Sequence, residues 1–330
     1  MKKSLYFFSN GVLRRKDNTV VFEGDGRRKF VPVEHMSEFH VFGEVDCNKK
    51  LLEFLSQKEI VLHYYDHYGY YMGSFYPREH LNSGYMILKQ AEHYMDEAKR
   101  KILAYQFVRG AVHNIEVVLK YYRNRAKDVG DRLDIIQSLR STLTPDMSVA
   151  ELMGVEGNIR EQYYRSFDAI LNNEAFRFEK RTRRPPQNYL NTLISFGNSI
   201  MYTTCLSEIY KTHLDPRIGF LHTTNFRKFS LNLDLAEIFK PILIDRVILS
   251  CVGRQMITEN DFERDSEGVI LKEKGKRVFM QELDKKFATT LKHRELGRSV
   301  SYRRYIRLEA YKLEKHFMGE KEYKPFAMTW

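Results

Sequence analysis

The sequence predicts an α+β chain: a small N-terminal β domain followed by a larger, all-helical domain. Three observations carry this. The first eighty residues hold short apolar runs rich in Val, Phe and Tyr, separated by turn signals. From about residue 85 the apolar period changes from 2 to 3.6. Gly and Pro are scarce, 18 and 8 of 330 residues, against roughly 12% in an average chain, and this favours long regular elements.

The strand candidates are SLYFF, TVVFEG, KFVPV, SEFHVFG, EIVLHYY and YYMGSFYP, with SNG, EGDG and HYG as turns between them. One helix is expected among them at Asn48–Gln57, where Leu51, Leu52 and Leu55 share a face. The expected division is a β domain over 1–80, a linker over 81–92 and a helical domain over 93–330. Helical spacing runs through Leu88–Arg109, Ile115–Lys127, Leu133–Leu143, Val149–Asn172, Tyr189–His213, Leu233–Val252, Lys274–Lys292 and Ser301–Met318.

The formal net charge is +11, with a sequence pI near 9.3, which favours a polyanionic partner. No run approaches the roughly 18 apolar residues of a membrane span; the best stretch, Pro241–Val252, is broken by Asp245 and Arg246. The apolar run near the start is too short for a secretory signal. Cys47, Cys205 and Cys251 are far apart and odd in number, which fits a reducing cytoplasm.

Residues able to carry chemistry concentrate in 215–249. Asp234 and Glu237 are three apart, so on a helix their carboxylates share a face. Pro241 removes the N–H that would bond the Glu237 carbonyl, so a kink is expected beside the pair. His222 lies upstream after Pro216 and Gly219. Imidazole plus carboxylates suits Mg²⁺ or Mn²⁺, although a D-x-x-E pair also reads as part of an ion-pair network and His222 as a structural histidine. Glu156 lies between Gly154 and Gly157; the small neighbours permit close approach, and a helix-dipole partner is the competing reading. Basic bursts with interleaved aromatics occur around Arg123–Lys127, Arg177–Arg184 and Arg298–Arg307. They read as solvated surface or, given the net charge, as phosphate-binding surface.

Taken together and in order, these segments resemble the CRISPR-associated integrase of spacer acquisition, the Cas-one endonuclease family. The carrying motifs are L-M-G-x-E-G at Leu152–Gly157, R-x-x-R-P-P-x-x-x-x-N at Arg181–Asn191 and L-D-P-x-x-G-F-L-H at Leu214–His222. With them go S-L-x-x-D-L-x-E-x-F-x-P-x-x-x-D-R at Ser230–Arg246 and a terminal YKPFAMTW like that of the type I-B subgroup.

The resemblance implies Glu156, His222 and Glu237 as metal ligands. Glu237 stands where the family often has Asp. Asp234 would be a further catalytic carboxylate, supporting the ligands or holding a second metal. It implies Mg²⁺ or Mn²⁺, a β domain that dimerises, a helical catalytic domain, and 3′-hydroxyl attack on a phosphodiester of a CRISPR array. Neutral His222 is needed for ligation, so activity should fall toward low pH. The expected partners are double-stranded and branched DNA, a second copy of the chain and the small Cas-two protein, with no membrane. Arg181, Arg183, Arg184, Asn191 and Arg227 are the expected DNA-binding residues. The alternative is a non-catalytic DNA-binding scaffold of the same fold.

Overall fold

Two four-stranded sheets and one helix build the N-terminal unit. In the computed structural model, which describes residues 3–24, 26–77, 81, 83–224, 229–293 and 295–329, the chain divides into Met1–His80 and Leu81–Trp330. Strands β1 (Lys3–Phe7), β5 (Met36–Val41), β7 (Val61–Tyr65) and β8 (Tyr71–Phe75) form one sheet, in that order. Its first three strands are parallel and β8 is antiparallel to β7. The second sheet runs β4 (Arg27–Pro32), β3 (Thr19–Gly24), β2 (Gly11–Lys16), β6 (Val45–Cys47). Helix α1 (Lys49–Gln57) starts at Asn48, whose side chain accepts the Leu51 N–H. Phe7, Leu13, Val20, Val31, Phe39, Val41, Leu51, Phe54 and Leu62 fill the core between these elements.

The C-terminal unit is helical, with one difference from the expectation: two short hairpins interrupt it. Its helices are α2 (Gly84–Met95), α3 (Glu97–Arg123), α4 (Gly130–Ser141), α5 (Val149–Arg165), α6 (Phe167–Leu171), α7 (Tyr189–Ile209), α8 (Leu231–Phe239), α9 (Arg246–Gly253), α10 (Glu273–Ala288) and α11 (Tyr302–Phe317). The hairpins pair β9 (Phe262–Arg264) with β10 (Val269–Leu271), and β11 (Thr290–Lys292) with β12 (Ser299–Ser301). The stretch read as a linker, 81–92, instead carries most of α2. Ser83 caps it, and the buried face presents Met86, Gln90 and His93, so its first turn offers little apolar signal. Asp96 then starts α3, accepting the Lys99 N–H at 3.1 Å. No described helix is long and apolar enough to cross a membrane.

Helix α7 is the hub: almost every residue from Leu190 to Ile209 is buried. Gly197 lets it approach the segment after α8, since a Cβ there would lie 2.4 Å from Ile244 Cγ2. That segment, Pro241–Asp245, is one π-helical turn, closed by Asp245 N–H donating to the Lys240 carbonyl at 3.0 Å. The distortion expected at Pro241 is therefore present, as a π turn. The terminal residues back α8. The Asn114 amide of α3 donates to the Ile238 and Phe326 carbonyls at 2.8 and 3.2 Å.

Near the end of α7, buried Glu208 meets Lys211, Arg303 and Arg307. Two arginines of the third basic burst are thus interior ion-pair partners. Burial opposes the Glu208 charge, but the three cations outweigh it and hold the carboxyl at about 2. A depressed folded-state pKa stabilises above the ordinary value of 4.5, and that stabilisation is lost as pH falls toward 2. Glu208→Gln should cost about 3–5 kcal/mol at pH 7, because both arginines lose their buried partner. Urea melts at pH 7 and pH 3 check this: the variant should lose less between the two than the wild type does.

Candidate active site

The expected site residues come from α5, α8 and the loop between α7 and α8. Helix α5 opens with a capping box, Ser148 and Glu151 each bonding the other's backbone N–H. Glu156 lies in the middle of this helix, so the helix-dipole reading does not hold. A Cβ at Gly154 or Gly157 would meet nothing within 4 Å, so neither glycine is required by close packing.

Asp234 and Glu237 share one turn of α8 yet serve different partners. Asp234 is fully buried and receives three successive backbone N–H groups: Phe220 at 2.6 Å, Leu221 at 3.1 Å and His222 at 2.9 Å. His222 Nδ1 adds a fourth bond at 2.8 Å. The four lone-pair directions of the carboxylate are thereby used, which leaves none for a second metal. Gly219 makes the arrangement possible, because a Cβ there would lie 2.7 Å from the Ser230 carbonyl carbon and 2.9 Å from Asp234 Oδ2. Helix α2 braces the same loop: Gln90 donates to the Asp215 carbonyl at 3.2 Å and accepts its N–H at 2.7 Å.

The bond to ionised Asp234 puts the His222 proton on Nδ1 and leaves Nε2 as the lone-pair nitrogen. Burial pulls the His222 pKa down, but the Asp234 hydrogen bond and charge, with Glu237 behind them, bring it out above its ordinary value.

Glu237 is held by two cations. Arg160, four residues after Glu156 on α5, donates through Nη2 to Glu237 Oε2 and, at 3.2 Å, to the Glu237 carbonyl. That carbonyl is the acceptor left without a helical donor by Pro241. Arg160 Nε donates to Glu156 Oε1 at 2.5 Å, so one guanidinium joins the two acidic residues. Lys240 Nζ lies 2.5 Å from Glu237 Oε1 and 3.2 Å from the Tyr202 hydroxyl. Burial opposes the Glu237 charge, but Arg160, Lys240 and His222 dominate and hold its carboxyl well below the usual carboxylate range. Next to this cluster lie Arg160 Nη1, the Tyr163 hydroxyl and the Asp245 carboxyl, all buried and without a well-aligned hydrogen bond among the described residues, with Tyr163 facing Asp245. Burial raises the Asp245 carboxyl to about 7.

The structure therefore brings Glu156 to Glu237 through Arg160, and His222 to Asp234 directly. It does not bring the Glu156, His222 and Glu237 ligand atoms within 4.8 Å of one another; among the described residues the set that meets this spacing is Glu38, His40 and His63. Arg160 and Lys240 are the residues that sequence reasoning missed, and their helical spacing from Glu156 and Glu237 was the available signal. Tyr163 and Tyr164 are buried in the core.

Among the expected DNA-binding residues, Arg183 and Arg184 are exposed. Their loop is pinned to the β9–β10 hairpin by Val269 N–H on the Pro186 carbonyl and Gln187 Nε2 on the Glu267 carbonyl, both at 2.9 Å. Two expectations need correction. Asn191 is fully buried and its amide is engaged by Arg181 and the Lys180 carbonyl, so it anchors the loop from inside. Arg181 is half-buried and also bonds Ser195 at 2.9 Å. Arg227 lies outside the described residues.

The profile of the family described as CRISPR associated protein Cas1 matches residues 5–285. The chain belongs to the Cas1 family. It is 58% identical over 330 residues to a CRISPR-associated endonuclease Cas1 of Thermodesulfovibrio yellowstonii, covering 100% of both chains. It is 50% identical over 318 residues to the CRISPR-associated endonuclease Cas1 of Thermotoga maritima, covering 96% of this chain and 98% of that one. The solved structure of a Cas1 protein from T. maritima superposes with a TM-score of 0.86 at 48% identity, covering 98% and 99% of the two chains. A casposase bound to integration product shares the fold at 21% identity with a TM-score of 0.86, covering 99% of this chain and 93% of that one. A β region followed by a helical region is thus the architecture of a Cas1 protein.

Proposed function

We propose that this Cas1 protein is a divalent-metal-dependent DNA endonuclease and integrase that inserts captured DNA fragments into a CRISPR array. The observation that carries the reading is the convergence of Glu156 of α5 and Glu237 of α8 on one shared positive group, Arg160 of α5, where α8 is the helix that follows the Asp234-bound His222 loop.

The residues fit a hard divalent cation. Two carboxylates and an imidazole with its lone pair on Nε2 form a suitable donor set, and the two carboxylates already hold a cation between them. Glu156, Glu237 and His222 would be the ligands for Mg²⁺ or Mn²⁺. Arg160 must leave at least one carboxylate for this, and buried Asp245 offers its charge a second partner. When bound, the ion polarises phosphoryl oxygens and lowers the pKa of an attacking hydroxyl.

In the proposed reaction the 3′-hydroxyl of a captured fragment attacks a phosphodiester at the edge of a repeat. A new P–O bond forms as the bond to the leaving 3′-oxygen breaks, and water in place of the hydroxyl gives hydrolysis. Asp234 acts as a positioning residue: it fixes the His222 tautomer and hangs the 220–222 backbone in place. Lys240 holds Glu237 ionised. Arg183 and Arg184 hold phosphates irrespective of sequence.

A second copy of the chain through the N-terminal β domain, and the Cas-two protein, are the proposed partners. The division proposed is the β domain over 1–80 and the catalytic domain beyond it. The three cysteines are free thiols, which suits a cytoplasmic setting. No observation favours the non-catalytic scaffold, since each proposed ligand position carries a competent side chain.

His222→Ala and Glu156→Gln should each abolish Mn²⁺-supported strand transfer while leaving DNA affinity within about threefold, a difference under 1 kcal/mol. Glu237→Gln keeps the volume beside Arg160 and Lys240 and should behave alike. Full strand transfer by any of the three removes that residue from the proposed site. Arg183→Ala with Arg184→Ala should weaken binding to all sequences and reduce the salt slope by about 2. An unchanged slope places that loop away from DNA.

A further inference from the structure

We propose that Glu38, His40 and His63, in the N-terminal β unit, form a second metal site, one that takes a borderline transition-metal ion, zinc first. The site lies on the sheet β1-β5-β7-β8. Alternate residues Phe7, Phe39, Val41 and Leu62 face the apolar core. The intervening positions include Glu38, His40 and His63, whose polarity reads as a solvent face in the sequence. They are instead buried, at 1%, 1% and 0% exposure. Burying a carboxylate and two imidazoles side by side is costly without a positive charge among them.

Register brings them together. His40 and His63 are paired neighbours on the parallel strands β5 and β7, with ring centroids 5.0 Å apart. Glu38 lies two residues before His40 and is therefore on the same face. Each ring is held by its outer nitrogen: His40 Nδ1 is 2.8 Å from the Tyr65 hydroxyl, and His63 Nδ1 is 2.6 Å from Ser74 Oγ. Tyr71 in turn bonds Ser74 Oγ at 2.9 Å. This leaves both Nε2 atoms turned toward Glu38, His40 Nε2 at 3.1 Å from Oε1 and His63 Nε2 at 4.0 Å from Oε2. Ser4 Oγ donates to Glu38 Oε1 at 2.7 Å. Imidazoles oriented by hydroxyls on the far nitrogen are the outer support that metal-binding histidines have.

The spacing fits. Ligand atoms bound about 2.0–2.2 Å from a tetrahedral ion lie roughly 3.3–3.5 Å from one another. One ligand atom from each of the three residues lies within 4.8 Å of the others, so the set must draw together by at most about 1.5 Å to hold the ion. Two nitrogens and one carboxylate oxygen select zinc or a neighbouring transition metal over magnesium. Bound there, the ion would tie β5 to β7 and stabilise the sheet.

The test is metal content of the full-length protein after equilibration with Zn²⁺ and removal of loosely bound ion. Wild type and His222→Ala should each retain one zinc per chain, and His63→Ala should retain none. His222→Ala separates this site from the proposed catalytic one. No retained zinc in the wild type, or zinc retained equally by His63→Ala, overturns the proposal. If His63→Ala does not fold, Co²⁺ added to metal-free His222→Ala protein gives the answer. Visible absorption bands of cobalt bound by nitrogen and oxygen, lost on adding zinc, support the site, and an absorbance like that of free aqueous Co²⁺ overturns it.

Discussion

The arrangement of the catalytic unit depends on one guanidinium. Arg160 joins Glu156 of its own helix to Glu237 of α8, and it also donates to the Glu237 carbonyl. Proline at 241 leaves that carbonyl without its helical donor, so the π turn and the arginine are two parts of one device. Burying an arginine is favourable only when its partners are placed to meet it. Three acceptors from two helices meet this one, so α5 and α8 are locked where their carboxylates converge.

Beside this lock stands a second device with a different task. Asp234 spends its whole carboxylate on the 220–222 backbone and on His222. The loop therefore has no conformational choice at the imidazole, and Gly219 is the residue whose missing side chain admits the contact. Charge is matched within the cluster: Glu156 and Glu237 against Arg160 and Lys240. Asp245 remains as a buried carboxyl raised toward neutrality by burial. A site balanced by its own side chains in this way can exchange one internal cation for an external one without leaving a carboxylate uncompensated.

Much of this was legible in the residues, and the parts that were not have physical causes. The change of period near residue 85 marked the two regions, and Pro241 announced the distortion after α8. The acidic residues were found, but their pairing was not. Helical spacing puts Asp234 and Glu237 on one face; the loop folded over Asp234 then separates their environments. Asn191 reads as an exposed polar residue of a basic stretch, yet the buried helix α7 needs its first turn satisfied from within. Helix α2 was read from Leu88 onward as one piece with α3; its first turn from Gly84 and the break at Asp96 were not read. The histidines of β5 and β7 were hidden because a buried polar face and a solvated one have the same period.

The central claim is that the position now shared through Arg160 is where the catalytic ion binds. Anomalous diffraction from a crystal of the full-length protein soaked in Mn²⁺ tests it directly. A manganese peak contacted by Glu156, Glu237 and His222 Nε2 is expected, with the Arg160 guanidinium moved off at least one carboxylate. A manganese peak elsewhere in the catalytic unit, with Arg160 still bridging Glu156 and Glu237, would contradict it.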